Sequence, residues 1–334
     1  MSFDFHYERT AFDILRAAHA EYVVTDLGRA RHFYVDVLGF VISFEDDDAI
    51  YLRGYEERLH HSLVLRRGEA PHIGHVAFRV GTPACLDLLH SHFESIGCRP
   101  GWAKDVEPGQ GPALRVQDPL GFPVEFFHDM ASEDDLLRRY DLYRGAEAMR
   151  LDHFNLHVPV CKDAFDYYKG LGFRCSEYTS TNGADEKLWA AWMFRKPDVH
   201  DVALMNGRGP RLHHTGWWVS DPMSVLRTCD RLAAAGHAGA IERGPGRHGL
   251  SNAFFLYLRD PDGHRIELYT SDYYTGDPDL EPLRWSVDDP MRGTFWGHAA
   301  PATWFEESSV VANIDGGIVA LRDEQLRERP ETVT

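Results

Sequence analysis

Residues 17–40 read AAHAEYVVTDLGRARHFYVDVLGF, and residues 150–173 read RLDHFNLHVPVCKDAFDYYKGLGF. Each stretch has a histidine in a strand-like run, then apolar residues at helical spacing, then Leu-Gly-Phe. The glycine of that tripeptide, Gly39 or Gly172, stands where a helix ends in the left-handed backbone region. The two stretches are therefore repeats of one strand–helix unit.

A second pair of repeats follows the first pair. Residues 73–98 and 213–237 both give a strand, a proline near the first helical turn, an apolar helical stripe and a closing glycine. Both continue to a strand marked by Asp-Pro-x-Gly, with a glutamate seven residues after the aspartate, Glu125 or Glu267. The chain thus contains four βαβββ units, near residues 14–65, 72–128, 149–205 and 212–270.

Four such units predict an α+β protein with two similar domains, each made of two paired βαβββ modules. Paired units form an open, curved mixed sheet with helices outside and a cavity inside. The length of 334 residues agrees with two domains of roughly 150 residues. We expect a non-catalytic N-terminal domain over 1–145, a catalytic C-terminal domain over 146–275, and a lid with the C-terminal tail over 276–334.

The composition excludes several classes of protein. The formal charge of −17 argues against a nucleic-acid partner, which needs a basic surface, and against an anionic membrane surface. The apolar run 188–194 is too short to span a bilayer, and the polar start MSFDFHYERT does not resemble a secretory signal. Five scattered cysteines without a CxxC motif fit reduced thiols. We therefore expect a cytoplasmic protein that acts on a small molecule.

Three residues occupy the repeat's marker positions in the second half: His153, His214 and Glu267. Two imidazoles and one carboxylate on separate strands form the facial triad that suits an oxygen-activating divalent metal and leaves other coordination positions open. Because strand neighbours point to opposite faces, only one of His213 and His214 should face the cavity. Alignment with the first half selects His214, and we expect replacement of His213 to be mild.

The pattern resembles the vicinal oxygen chelate superfamily, specifically the type I extradiol ring-cleaving catechol dioxygenases. Within them it is most similar to the homoprotocatechuate (3,4-dihydroxyphenylacetate) 2,3-dioxygenases. The resemblance covers residues 14–310 and is strongest in LDHFN, AAWMFRK, ERGPGRHGLSNAFFLYLRDPDGHRIELYTSDYYTGDPD and WGH with the later Trp304. It implies Fe(II), or Mn(II) in some members, held by the triad, O2 as co-substrate and a homotetramer.

The resemblance also assigns His200, in the loop KPDVHDVAL, as the acid–base histidine. An imidazole that titrates near neutrality can move protons between a catechol and oxygen. Strand alternation turns Tyr257 toward the cavity, where its phenol can hydrogen-bond a catecholate oxygen, a buried core tyrosine being the alternative. Asn155 lies two residues after His153 and shares its strand face, so we expect it to bind a ligand or substrate oxygen.

Arg243 and His248 lie in ERGPGRHG, a loop whose glycines and proline allow close approach of its backbone to a substrate. Arg243 can hold a carboxylate with two parallel hydrogen bonds. We expect His248 to take part in catalysis and Trp192 to form a wall of the pocket.

Residues 271–310 are rich in aromatic side chains separated by proline and glycine, which is typical of a lid or of a strap between subunits. The resemblance favours the lid and adds Arg292 and Trp304 as substrate contacts. One position departs from the family, because its second consecutive arginine is Gly293 here. A catechol with a neutral or bulkier substituent therefore stays an alternative to the aryl acetate. The charged end, LRDEQLRERPETVT, should fray into solvent.

The first half has the same marker residues, His19, His75 and Glu125. They fit three interpretations: a second metal site, an inherited vestige, or chance. Arg115 should point into the same cavity and repel an ion, and no counterpart of His200 or of the GRHG loop is evident. We favour the vestige and place catalysis in the second half alone.

The sequence therefore predicts a non-haem, metal-dependent extradiol dioxygenase that cleaves 3,4-dihydroxyphenylacetate with O2 to a muconic semialdehyde. A non-catalytic binding protein of the same fold needs no triad, and a glyoxalase-like isomerase typically has more carboxylate ligands. The triad, together with His200, Tyr257 and the GRHG loop, favours the dioxygenase.

Overall fold

The computed structural model describes residues 3–7, 9–104 and 106–326. Four βαβββ units follow one another along the chain, as the repeats predict. The first half contains β1 Ile14–Val24, α1 Leu27–Arg31, which continues as a wider π turn over His32–Val37, β2 Val41–Glu45, β3 Ala49–Arg53, β4 Leu63–Arg67, β5 His72–Val80, α2 Ala84–Ser95, β6 Gly101–Ala103, β7 Ala113–Gln117 and β8 Pro123–Phe127.

The second half repeats this order and adds a tail. Its elements are β9 Ala148–Val158, α3 Cys161–Gly170, β10 Arg174–Ser180, β11 Leu188–Phe194, β12 Val202–Asn206, β13 Arg211–Val219, α4 Pro222–Ala234, β14 Ile241–Arg247, β15 Phe254–Arg259, β16 Arg265–Thr270, β17 Leu283–Ser286, α5 Ala302–Glu306 and β18 Ser309–Val310.

Each half folds into one mixed sheet made of two units side by side. The first sheet has the strand order β2-β3-β4-β1-β5-β8-β7-β6, and the second has β14-β15-β16-β13-β9-β12-β11-β10-β17. The two units of a sheet join where their first strands pair antiparallel, β1 with β5 and β9 with β13. Within each unit the first and last strands pair in parallel. The predicted α+β fold of two similar halves is confirmed.

Side-chain caps and turn glycines set the helix bounds. Asp26 before α1 and Asp221 before α4 each accept a hydrogen bond from a main-chain N–H of the first turn. After the π turn and after α3 the chain passes through Gly39 and Gly172, whose φ angles are 78° and 86°. Glycine adopts this left-handed backbone without the steric cost of a Cβ. None of the described helices is long and apolar enough to cross a membrane.

A continuous hydrophobic core joins the two sheets. Phe78 of β5 meets Phe154 of β9 edge to face, with ring centroids 5.7 Å apart. Across the same contact, the Tyr22 hydroxyl lies 2.8 Å from Thr215 Oγ1. Because neighbours on a strand point to opposite faces, the packing of Phe154 turns His153 toward the other face of the second sheet.

The tail is tied to the second sheet at two places. β17 pairs in parallel with β10, and β18 pairs antiparallel with β13. The expectation that this end frays is wrong for its first residues, since Arg322 and Gly209 exchange two main-chain hydrogen bonds of 2.7 and 3.0 Å. The side chains of Arg322, Asp323 and Gln325 are nevertheless exposed to solvent. The last residues of that stretch, 327–334, lie outside the described part of the chain.

Replacing Phe78 with alanine should lower the free energy of unfolding by about 3–5 kcal/mol, since the ring is fully buried. Its ring is 1 % exposed and contacts those of Phe126, Phe154, Tyr168 and Phe173. Phe44→Ala is the matched control, because that ring is 39 % exposed; it should cost less than about 1 kcal/mol. Urea denaturation of both variants measures the difference. Equal losses would contradict a shared core at Phe78.

Candidate metal centre and substrate pocket

Three ligand-type side chains meet on the free face of the second sheet. His153 on β9 and His214 on β13 place their Nε2 atoms 3.3 Å apart. Glu267 Oε2, on β16, is 3.1 Å from each of these nitrogens. The three side chains are buried, and their donor atoms form a group able to hold one metal ion. The structure thus brings the predicted triad together.

Gly216 lies between two of these ligands. On β13 it pairs with His153 of β9 on one side and with Glu267 of β16 on the other. A Cβ atom on Gly216 would lie 2.1 Å from Cε1 of His153. Glycine at this position therefore provides the space that the His153 ring occupies.

His153 has a built-in hydrogen-bond acceptor behind it. Its Nδ1 lies 3.0 Å from Asp152 Oδ2, and Lys196 Nζ is 3.4 Å from the other oxygen of Asp152. Burial alone would raise the pKa of Asp152, but the Lys196 ammonium and the bond with His153 outweigh it and hold the pKa well below its usual range. The ionised Asp152 keeps the proton of His153 on Nδ1, which leaves Nε2 free to bind a metal. Sequence reasoning missed Asp152, although it directly precedes His153.

His214 is oriented by His213. The Nδ1 atoms of the two rings are 2.7 Å apart, and His213 Nε2 is 2.8 Å from the carbonyl oxygen of Trp304. Since a carbonyl only accepts, His213 Nε2 donates, its Nδ1 accepts from His214, and His214 Nε2 is left free for a metal. As strand alternation predicts, His214 lines the substrate pocket and His213 does not. Beside a register shift between Leu212 and His214, His213 nevertheless contacts the His214 ring. Its replacement should disturb His214.

A cavity opens beside the triad. Every site residue predicted from the sequence lines it: His153, Asn155, Trp192, His200, His214, Arg243, His248, Tyr257, Glu267, Arg292 and Trp304. The lining also includes aromatic residues that sequence reasoning missed, among them Trp189 and Tyr269. Strand alternation was the available signal for Tyr269, because it stands two residues after Glu267 and shares its face.

His200 lies against the ligand His153, with ring centroids 3.9 Å apart. Its Nδ1 is buried without a hydrogen-bond partner, as is Oδ1 of Asn155. Burial, followed by the nearby His153 imidazole, lowers the pKa of His200 well below its usual value. The ring is therefore neutral at pH 7 and able to accept a proton.

A hydrogen-bond chain leads from the tail to the mouth of the triad. His248 Nδ1 is 2.5 Å from the Gly293 carbonyl oxygen, so it donates, and His248 Nε2 accepts from the Tyr257 hydroxyl at 2.8 Å. Tyr257 stands opposite Glu267 in the β15–β16 register. Gly293, where the resemblance predicts an arginine, thus contributes its main-chain oxygen to the site.

Two guanidinium groups are buried at the pocket. Arg243 donates to Gly293 O at 3.0 Å and lies 4.6 Å from the ring centroid of Trp304. Arg292 lies 5.0 Å from the ring centroid of Trp189. Nε of Arg243 and Nη2 of Arg292 are buried and lack a hydrogen-bond partner. Burial lowers the pKa of Arg292 to about 10, which still leaves it charged at pH 7.

Replacing Asp152 with asparagine should lower the metal affinity of the triad about 10–100-fold, because the charged acceptor behind His153 is lost. Competition with a chelator of known affinity measures the change. Asp166→Asn is the matched control, since Asp166 is an exposed carboxylate paired with Lys162 on a helix; it should leave the affinity unchanged. Equal affinities of both variants would remove Asp152 from the support of the metal centre.

Comparison with known proteins agrees with this geometry. The model of the Glyoxalase/Bleomycin resistance protein/Dioxygenase superfamily matches residues 16–126 and 150–268. A solved anaerobic substrate complex of homoprotocatechuate 2,3-dioxygenase from Brevibacterium fuscum, with 3,4-dihydroxyphenylacetate, is 47% identical with a TM-score of 0.91, covering 93% of this chain and 98% of that one.

Two further relatives are similar in sequence along most of their length. The manganese-dependent 2,3-dihydroxybiphenyl 1,2-dioxygenase of Geobacillus genomosp. 3 is 32% identical over 85% of this chain and 94% of its own. A metapyrocatechase of Geobacillus stearothermophilus is 30% identical over 90% of this chain and 95% of its own. The chain therefore belongs to the Glyoxalase/Bleomycin resistance protein/Dioxygenase superfamily, and within it to the metal-dependent extradiol catechol dioxygenases.

Proposed function

We propose that this enzyme uses Fe(II) and O2 to cleave 3,4-dihydroxyphenylacetate beside its two hydroxyl groups, giving a muconic semialdehyde. We also propose that it works in the cytoplasm as a homotetramer. The five cysteines are free thiols, which agrees with a reducing compartment. Mn(II) is the alternative ion, because the same donor set accepts both metals and one relative is named manganese-dependent.

The observation that carries the substrate assignment is the pair of buried guanidinium groups at the pocket. Among the described residues, neither Arg243 nor Arg292 forms an ion pair with a carboxylate, and each has an unpartnered buried N–H group. A buried cation without a partner is costly. A carboxylate on the substrate side chain would satisfy both groups through charge-assisted hydrogen bonds. The solved relative holds the same kind of substrate, an aryl acetate with two adjacent hydroxyl groups.

The side of the pocket at the triad suits the catechol. When bound, the metal supplies the centre that holds the catechol oxygens and activates O2 toward the ring. His200 is neutral and has an unpartnered Nδ1, so it can take a catechol proton and return it during ring opening. Tyr257 donates its hydroxyl proton to His248 and thereby presents its oxygen beside the triad. Aromatic side chains, Trp192 among them, form walls of this space.

Oxygen uptake by metal-loaded protein tests the reaction. We expect protein reconstituted anaerobically with Fe(II) or Mn(II) to consume one O2 per catechol and to form a yellow ring-fission product. His214→Ala should remove the metal of the triad and the oxygen uptake. His72→Ala, at the first residue of β5 in the first sheet, should change neither. Absence of uptake with every catechol tested, with either ion, would contradict the proposed reaction.

The choice of catechol is tested at Arg292. Arg292→Met should raise the KM for 3,4-dihydroxyphenylacetate about 10–100-fold, the loss expected for one or two charge-assisted hydrogen bonds. The KM for the uncharged 4-methylcatechol should change less than about 3-fold, since it carries no group for the guanidinium to pair with. Arg247→Met is the control, because Arg247 is the last residue of β14 and does not line the pocket. A higher kcat/KM for 4-methylcatechol in the unmodified enzyme would favour the neutral catechol instead.

A further inference from the structure

A second cluster of ligand-type side chains lies on the free face of the first sheet. Three of its members occupy the repeat's marker positions on β1, β5 and β8, and the fourth comes from the connection between β6 and β7. Together they form a group able to hold one metal ion: His19, His75, Glu107 and Glu125. Sequence reasoning missed Glu107, because it lies in an irregular connection without a repeat marker.

The four side chains converge on one point. His19 Nε2 lies 2.9 Å from His75 Nε2 and 3.3 Å from Glu125 Oε1. His75 Nε2 lies 3.5 Å from Glu107 Oε1. Four donors around a zinc ion at about 2.0–2.2 Å would lie about 3.3–3.6 Å from one another. The cluster therefore needs only small shifts to surround an ion.

Burial and charge distinguish this cluster from a surface group of acids. The side chains of His19, Glu107 and Glu125 are 0% exposed, and that of His75 is 4% exposed. Two carboxylates and two imidazoles that face one another away from water need a positive charge to balance them.

Arg115 supplies part of that charge from the edge of the cluster. Its Nε is 2.5 Å from Glu125 Oε2, and its Nη2 is 2.7 Å from Glu107 Oε1. The Arg115 side chain is 31% exposed and donates hydrogen bonds to both carboxylates. Arg115 thus reaches the cluster, as the sequence predicts, and its charge is paired with these two carboxylates. One guanidinium against two carboxylates still leaves a negative charge for a cation to neutralise.

His61 supports one of the carboxylates. The strand registers place it in the first sheet where His200 lies in the second, so the expectation that His200 has no counterpart is wrong. Its Nε2 donates to Glu107 Oε2 at 3.0 Å, and its Nδ1 lies 3.0 Å from His60 Nδ1. His61, the counterpart of His200, thus orients the carboxylate of Glu107.

We propose that this cluster is a second metal site, which binds a divalent ion of the zinc class through His19, His75, Glu107 and Glu125. Mixed imidazole and carboxylate donors suit borderline transition ions better than Mg²⁺ or Ca²⁺. Four protein ligands saturate a tetrahedral ion, and the four side chains are buried. The ion therefore stabilises the first half without taking part in ring cleavage. The proposal is independent of the proposed substrate.

Metal counting tests it on the full-length protein. After incubation with excess Zn²⁺ and gel filtration, elemental analysis should find two metal equivalents per chain. The double variant His75→Ala, Glu125→Gln should lose one equivalent, and the double variant His214→Ala, Glu267→Gln should lose the other. His72→Ala, a partly buried histidine on β5 outside the cluster, should keep both.

One equivalent in the unmodified protein, or two in the His75→Ala, Glu125→Gln variant, would overturn the proposal. A crystal of the unmodified protein gives a readout that does not depend on the folding of a variant. Anomalous scattering at the zinc edge should show a peak among the four side chains, and a peak at the His153 triad alone would also overturn the second site. Neither readout uses catalytic activity.

Discussion

The register that places Gly216 between two metal ligands is the constraint on which the catalytic centre depends. β13 pairs with β9 on one side and with β16 on the other, so His153, Gly216 and Glu267 stand in one row across the sheet. A methyl group at Gly216 would overlap the His153 ring. A slip of one residue would turn a ligand to the opposite face. The pairing of three strands therefore fixes the triad before any metal binds.

The first sheet has the same row with a different centre. There Ala77 pairs with His19 on one side and with Glu125 on the other. Behind His19, Ala18 replaces the acid that supports His153, and Nδ1 of His19 is buried without a partner. One fold thus carries two unlike clusters: a supported three-ligand group beside an open pocket, and an enclosed four-ligand group.

The repeats made the fold and the triad predictable, because the marker residues lie on regular strands and recur at the same spacing in each repeat. His200 and Arg292 were predicted from the resemblance of the whole sequence to a known family. The other parts of the site depend on features that residue types do not reveal. His213 contacts the His214 ring beside a register shift, Glu107 arrives from an irregular connection, and Gly293 acts through its carbonyl oxygen. Main-chain contacts and bulges carry no residue-type signal, so they became visible only in the folded chain.

The hydrogen bond between Gly293 and His248 couples the position of the tail to the ring nitrogen of His248 that carries the proton. With the tail seated, the Gly293 carbonyl holds a proton on His248 Nδ1, and Nε2 must then accept from Tyr257. If residues 291–297 lifted from the loop, that tautomer would lose its preference, and the Tyr257 hydroxyl would be free to point elsewhere. The position of the tail backbone thereby determines which way the hydrogen bond between Tyr257 and His248 points.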